Sequence, residues 1–429
     1  MFCKNSLMPP QYGFPVDRVS TVNRLLQRNI KTIYLMGFFH SFMVVIPVFV
    51  PLLQGYGLTM SQVLQTQAAF ALTIAMCEVP SGYIADMWGR RNAVLVGAGL
   101  NAIGFLSLFW ADTFLDFLIY EMILGLGFSL ISGADLALLY DTEVYLQEND
   151  LEGGVGTGKS LSRLISVEAA ASGIAGIVAS LLMLASMQWV VWVQAVTGLA
   201  PLILGFALVE VPRPKREVNH KQNARAVIEM LLFGKPVVLW TAFAITVFGL
   251  MAVYVFWIYQ KYWEVQGVPV ESFGYLWAAF ALVVSLAARY ASAIEQKLGT
   301  RRLLVLLAIL PIAGMLGMAL GSGWIGVMFG FAIQIARGIS LSVFYEALNR
   351  RVPGDFRATV NSLVSLVVRT IFIVTGPILG YSLDRYGMTP TLLSLVVVFT
   401  PLMLLVLLPL LARITREKLP RPVETMDAY

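Results

Sequence analysis

The sequence predicts an all-α integral membrane protein, with twelve transmembrane helices in two pseudo-symmetric six-helix halves. Three observations predict it. The 429 residues are 58% hydrophobic and only 13% charged, about half the charged share of a soluble domain. The apolar residues fall into twelve runs of about 20, the length that crosses a ~30 Å hydrocarbon core. Lysine and arginine, finally, keep to alternate connections. With the N-terminus in the cytosol, all but five of the 30 basic residues fall in cytosolic segments, as the positive-inside rule requires. The exceptions are Lys261 and Arg385 on the other side, and Arg289, Arg337 and Arg369 inside spans.

Residues 1–31 read as a cytosolic segment. Val22, Leu25, Leu26 and Ile30 beside Arg24, Arg28 and Lys31 suggest a basic amphipathic helix lying on the inner surface. They contain no short apolar core with a small-residue cleavage site, so no secretory signal is expected. The first half, residues 32–211, holds spans 1 to 6 at Thr32–Leu53, Ser61–Asp86, Ala93–Ala111, Phe117–Tyr140, Leu164–Met187 and Trp189–Val211. The connection 212–235 carries Arg213, Lys215, Arg216, Lys221 and Arg225 and falls at the midpoint, as a linker between two repeats would. The second half, residues 236–411, holds spans 7 to 12 at Pro236–Gln260, Phe273–Ile294, Leu303–Gly321, Trp324–Leu348, Val360–Asp384 and Thr389–Leu411. Residues 412–429 form a cytosolic tail. Several connections are too short for anything but antiparallel neighbours.

Between spans 2 and 3 the chain reads Gly82-Tyr-Ile-Ala-Asp86-Met-Trp-Gly89-Arg90-Arg91. Glycine permits close helix approach and tight turning. The Asp ends one apolar helix, and the Arg pair keeps the loop out of the bilayer. This G-x-x-x-D-x-x-G-R-R pattern resembles the loop between helices 2 and 3 of the major facilitator superfamily, a class of secondary transporters. A degraded copy, Glu295-Gln-Lys-Leu-Gly299-Thr-Arg301-Arg302, follows span 8, with one more residue between acid and glycine. The resemblance implies a cavity lined by helices 1, 4, 7 and 10 and alternating access by rocking of the two halves. It also implies that Asp86, Arg90 and Arg91 tune the conformational equilibrium while Gly82 and Gly89 permit tight contacts.

The chain departs from the drug exporters of that superfamily. Many carry an Arg early in helix 4 with Gly four residues later, where this chain has Glu121 and Gly125. In span 10 the Arg of Gln334-Ile-Ala-Arg337-Gly338 is displaced, and span 5, with Ala171-Ser-Gly173-Ile-Ala-Gly176, lacks the Gly-Pro element of antiporters. That element appears instead in span 11, as Gly376-Pro377-Ile-Leu-Gly380. A separate match, Gly153-Gly-Val-Gly-Thr-Gly158-Lys159-Ser160, fits the phosphate-binding pattern G-x-x-x-x-G-K-S in full. That chemistry needs a strand, a helix and an α/β domain around it, and the match lies between two apolar spans. It is read as a decoy, and no cofactor is expected.

Ionisable groups inside a bilayer are costly and mark function by default. The first half holds Glu78, Glu121, Asp135, Glu168 and His40; the second holds Arg289, Arg337 and Arg369. Glu78 lies about 12 Å further into the membrane than Asp86, and Arg369 sits at a comparable depth in span 11. In the superfamily helix 2 packs on helix 11 and helix 5 on helix 8. The resemblance therefore implies two gate pairs, Glu78–Arg369 and Glu168–Arg289, which close the inner gate when the carrier faces outward. Each charge could instead find a partner within its own half and serve packing alone.

On span 4, Glu121 and Asp135 are 14 residues apart, about 21 Å along one face of a straight helix, with Phe128 and Ser132 between them. Removal from water disfavours the charged form of a carboxyl group, as a proton carrier needs. Asp135 is the first proton-site candidate, followed by Glu121 and Glu78; each could also be a satisfied structural acid. Arg337 could hold an anion through its fixed donors. Tyr254, Trp257 and Lys261 share a face of span 7, and Phe39 and His40 could contribute from span 1. Such an aromatic stripe could equally be packing or an interfacial belt.

The expected activity is proton-coupled transport of a small organic molecule by alternating access, as efflux of an amphipathic or anionic compound. Uptake by proton symport is the alternative, and a non-transporting sensor or scaffold is a third reading. The proton gradient supplies the energy. The expected partners are the solute and the lipid bilayer, with the chain working as a monomer. The +5 net charge reports topology and anionic headgroups, not nucleic acid. Two His and two Cys leave no metal cluster or nucleophile–base set, so no enzyme is expected. Cys3 and Cys77 provide no disulfide framework. The lack of an N-x-S/T acceptor suits a bacterial inner membrane, with both termini cytosolic.

Overall fold

The computed structural model describes residues 16–149, 151, 154, 156–211, 236–353 and 356–414. The predicted central linker and nearly all of the C-terminal tail lie outside the described residues. The rest forms twelve helical rods joined by short turns, so consecutive rods run antiparallel. Ten rods are long and apolar enough to cross a membrane, and the second makes eleven as a pair bent by 50° at Pro80. Proline causes that bend by removing one backbone donor and crowding the preceding turn. The third rod, Arg90–Ser107, is the short one at 18 residues.

Span 1 comprises Val16–Ser41, a tight turn at Ile46–Val48 and Phe49–Gly55. Val16–Ser41 is unbroken, so residues 16–31 extend span 1 instead of forming a separate surface helix, and the rest of the predicted N-terminal segment lies outside the described residues. Asn29 ties this extension down: its Oδ1 accepts from Val209 N (2.8 Å) and its Nδ2 donates to Val209 O (2.9 Å). Leu26 beneath it is fully buried. The break near Pro47 frees backbone groups that cannot be left bare inside a membrane. Gln260 of span 7 takes them up, accepting from Val50 N and donating to Ile46 O, each at 2.9 Å.

Span 2 is Met60–Trp88, started by a capping box between Thr59 and Gln62. Span 4 comes in two pieces, Phe114–Ile131 and Ala134–Glu148. They are separated at Gly133, whose φ of 87° is open to glycine and strained for other residues. The remaining first-half rods are span 5, Thr157–Met183, and span 6, Met187–Gly198 continued by Ala200–Gly205. Spans 7 to 12 are Pro236–Val265, Phe273–Leu298, Thr300–Leu320, Gly323–Asn349, Arg357–Tyr386 and Met388–Ile414.

The most extensive helix contact in the molecule joins span 2 to span 11, and span 5 packs on span 8, so both seams run between the halves. Large apolar side chains such as Trp110, Ile203, Leu320 and Val397 stand exposed on the outside, as lipid contact requires. The end that carries Arg90, Arg91, Arg301 and Arg302 is hereafter the basic face; the other end is the opposite face.

Candidate functional site

Between the halves lies a cavity of about 500 Å³, walled by spans 1, 2, 4, 7, 10 and 11. Span 10 gives it one helical face, with Arg337, Ser340, Leu341, Phe344 and Tyr345 at offsets of three and four. Span 4 contributes Glu121 and Phe128, and span 7 contributes Phe256 and Trp257. Most of the wall is aromatic or aliphatic, as in binding sites where a few polar groups set orientation.

Three charged side chains reach this cavity, and they differ in how they are held. Arg369 of span 11 is paired: its Nη1 lies 2.6 Å from Glu78 Oε2 of span 2. Both side chains are about one-third exposed, at 31% and 33%. Glu121 is buried, and its Oε1 accepts from Gln67 Nε2 at 2.5 Å. Its partner is therefore a neutral amide. Arg337 stands near the Tyr259 ring, whose hydroxyl is committed to Gly330 O at 3.0 Å. Among the described residues no carboxylate pairs with Arg337.

The motif loop is built inside the first half. Gly89, with φ of 95°, ends span 2, and the Glu210 carboxylate receives the amides of Arg90 (3.0 Å) and Arg91 (2.8 Å). An anion at a helix start meets unpaired N–H groups and the positive end of the helix dipole. A Cβ at Gly89 would stand 2.9 Å from that carboxylate. Arg90 pairs with Asp141 of span 4, and Arg91 Nε donates to Leu208 O at 2.7 Å. Asp86 is exposed at the end of span 2. Gly82 departs from expectation: it is exposed, and a Cβ there would meet nothing within 4 Å, so it makes no tight contact in this structure.

Over residues 32–377 the sequence matches the Major Facilitator Superfamily. The chain belongs to that superfamily. No curated protein matches it by sequence, but solved structures share its fold. The nucleoside transporter NupG superimposes with a TM-score of 0.70 at 11% identity, covering 92% of this chain and 100% of its own. A bacterial homologue of the human lysosomal transporter Spinster, inward-facing and unoccupied, gives 0.65 at 15% identity, with coverages of 94% and 96%. A D-xylose–proton symporter gives 0.63 at 14% identity, with 91% and 97%. At these identities the likeness is one of fold. The family and its transporter neighbours mark the chain as an integral membrane transporter of the major facilitator fold.

Within this major facilitator fold, the other residues singled out in the sequence divide. Phe128, Trp257, Glu121, Arg337 and Arg369 line the central cavity. Asp135 does not. Because span 4 breaks at Gly133, the phase of a straight helix does not carry from Glu121 to Asp135. Asp135 lies with His40 beside a separate void of about 10 Å³ inside the first half, room for about one water. The His40 ring packs on Phe128 (centroids 4.3 Å apart), and Phe39 stacks edge-on to Phe38. Tyr254 points into the second half, donating to Thr375 Oγ1 between Phe372 and Phe399.

Glu168 and Arg289 are not brought together. Glu168 lies against Gly37 and within reach of the Asp135 charge, whereas Arg289 is exposed. Spans 5 and 8 meet at their other ends. There Gly274 lies so close to Gly176 that an added Cβ would sit 1.9 Å from Gly176 O, and Ser180 Oγ accepts from Tyr275 N at 3.0 Å.

That contact is one of several that seal the opposite face. Asp384 of span 11 accepts from Met60 N (2.9 Å) and Ser61 N (2.7 Å), the first amides of span 2. Gln260 bridges to span 1 as described, and Lys261 Nζ donates to Gln54 Oε1 at 3.1 Å. Of the loop that fits the phosphate-binding pattern, Gly154 and the residues from Gly156 onward are described, and Gly153 lies outside the described residues. The Gly156 amide and the Ser160 hydroxyl both donate to the buried Glu143 carboxylate, which occupies the place a phosphate would take at that helix start.

Proposed function

We propose that the chain is an electroneutral symporter that carries one proton with one small organic anion into a bacterial cell. One observation carries this reading: Glu121 and Arg337 line one cavity, and among the described residues neither has an oppositely charged partner. An uncompensated charge inside a membrane is expensive, so carriers with a neutral cavity reorient most readily. With Arg369 and Glu78 cancelling, the empty cavity is neutral when Glu121 is ionised against Arg337. It is neutral again when a proton sits on Glu121 and an anion on Arg337. Either cargo alone leaves one unbalanced charge. That arithmetic couples the two fluxes in the same direction, and under an inward proton gradient the direction is uptake.

On this reading the protein sits in the inner membrane with its basic face in the cytosol, which the Lys and Arg bias supports. The structure, sealed at the opposite face, is then the inward-facing state. Asp86, Arg90 and Arg91 act on the balance of states and touch no solute. Each chain works alone, since one chain supplies the whole cavity, and the proton gradient is its energy source without a bound cofactor. Efflux of an amphipathic compound is the second reading, favoured by the aromatic walls.

The deciding experiment is a thermal-shift screen of organic anions and lipophilic cations on purified protein at pH 6 and pH 8, beside Arg337→Gln and Glu121→Gln. A ligand that binds the folded form raises its apparent stability once it exceeds its dissociation constant. Symport predicts anions that stabilise more at pH 6, lose their effect in Arg337→Gln and lose their pH dependence in Glu121→Gln. Stronger anion binding at pH 8 would mean that proton and anion compete, which is antiport. Lipophilic cations acting equally on wild type and Arg337→Gln would establish the efflux reading. In proteoliposomes loaded with a ligand so identified, a pH gradient drives accumulation and a potassium–valinomycin potential does not.

A further inference from the structure

The cavity also limits what the anion can be, and this inference rests on the symport reading. We infer that the solute is a monocarboxylate with a planar aromatic body and no second ionised or multiply hydroxylated group. The first limit is charge. Arg337 is the cavity cation without a carboxylate among the described residues, because Arg369 is held by Glu78 at 2.6 Å. A second carboxylate would find no free cation and would face Glu121, so a dianion costs an unbalanced charge in a low-dielectric wall.

The second limit is polarity. The spans 1 and 2 wall is Met43, Ile46, Phe49, Phe70, Ala71 and Ile74, relieved by Gln67. Gln67 is already committed to Glu121. A hydroxyl stripped of water without a new partner is costly. A sugar or nucleoside brings several, and this wall offers them almost nothing. The fold neighbours that carry xylose and nucleosides are therefore poor guides to this solute.

The third limit is shape. Span 7 presents Trp257 and Phe256 edge to face at 4.8 Å, and Trp257 also reaches Phe49 of span 1 at 6.0 Å. Both line the cavity, beside the span 10 face that carries Arg337, Phe344 and Tyr345, since span 7 packs on span 10. Edge-to-face and offset-stacked ring pairs gain free energy beyond area burial, so a flat aromatic body finds partners here. A cavity of about 500 Å³ takes a bicyclic acid with room to spare. The guanidinium fork holds the carboxylate, and the ring body lies along Trp257.

The test uses the full-length wild-type protein with probes that separate the three limits. By isothermal titration at pH 6, 2-naphthoate is expected to bind at least tenfold tighter than 2-naphthamide, 2,6-naphthalenedicarboxylate or octanoate, with D-xylose and uridine silent. Trp257→Leu should weaken 2-naphthoate at least tenfold and leave octanoate within threefold, whereas Trp257→Phe retains most of the affinity. Octanoate equal to 2-naphthoate would overturn the aromatic body while leaving anion symport intact. The dicarboxylate equal to the monoacid would overturn the charge limit alone. If no acid binds in an Arg337-dependent way, the symport reading falls, and with it this inference.

Discussion

The two ends of the seam between the halves are built from different chemistry. At the opposite face the halves meet through backbone. Gly274 lies on Gly176, the Asp384 carboxylate closes on two amides of span 2, and the fully buried Gln260 completes the broken turn of span 1. Nearer the basic face they meet through Glu78 and Arg369, a side-chain pair about one-third exposed, of which Arg369 lines the cavity. Backbone contacts require one register and vanish together when the halves part. A water-facing ion pair tolerates displacement and contributes little, about 0–1 kcal/mol where solvent screens it. The difference teaches where the conformational energy of this state is stored: in the seal on the opposite face, with the ion pair as a soft contact on the path the solute takes.

The largest expected effect is at the glycine contact. Gly274→Leu puts side-chain atoms where the span 5 backbone already lies, since even a Cβ would stand 1.9 Å from Gly176 O and 2.7 Å from Ser180 Oγ. The opposite face then cannot close. Transport should fall at least tenfold while anion binding persists. Ala71, which lines the cavity, offers the readout. In a background with Cys3 and Cys77 replaced by serine, Ala71→Cys should react with an impermeant thiol reagent from the opposite face. Labelling that stays confined to the basic face would remove Gly274 from the seal.

Asp384→Asn comes next. One carboxylate now serves two amides, at 2.9 and 2.7 Å; an asparagine has one acceptor oxygen and turns its amide toward the other donor. Hydrogen bonds to a charged group contribute about 1.5–3 kcal/mol, so the balance of states should shift roughly tenfold or more toward opening at the opposite face. The same Ala71→Cys assay measures it. An unchanged labelling ratio would mean that the helix start finds water as readily as the carboxylate.

Much of this architecture was legible in the sequence, because twelve apolar runs and a biased distribution of Lys and Arg report membrane solvation directly. The contact between Glu78 and Arg369 is one that the family resemblance implies, through packing of helix 2 on helix 11 with the two charges at matched depth. The shared face of Glu121 and Asp135 fails for a local reason: Gly133 looks like any small residue in an apolar run, yet its φ of 87° breaks the helical phase. The resemblance implies a pair of Glu168 and Arg289, but the packing of helix 5 on helix 8 does not say which ends touch. Gln67 and Gln260 stand out less in the sequence than the ionisable groups, yet an amide in an apolar run also needs a hydrogen-bond partner and so marks a polar contact. Glu210 and Asp384 sit near span ends, where an acid is usually solvated, and only the fold shows them turned onto helix starts, as it alone shows Asp141 paired with the Arg90 side chain.

The smallest effect sharpens the comparison most. Glu78→Gln removes one charge of the ion pair, yet both partners are about one-third exposed, so the balance of states should move less than fivefold in the Ala71→Cys assay. Coupling, however, should change. With Glu78 neutral, Arg369 becomes a second free cation in the cavity, and the loaded carrier acquires one net positive charge. Anion flux should then respond to membrane potential, where wild-type flux does not, and 2,6-naphthalenedicarboxylate should gain affinity relative to 2-naphthoate. The double variant Glu78→Gln with Arg369→Gln restores the charge count and should remove the voltage response of the rate. If Glu78→Gln instead shifts labelling as far as Asp384→Asn and leaves the voltage response flat, the pair is a gate in its own right. The energy of this state would then be shared between the two ends.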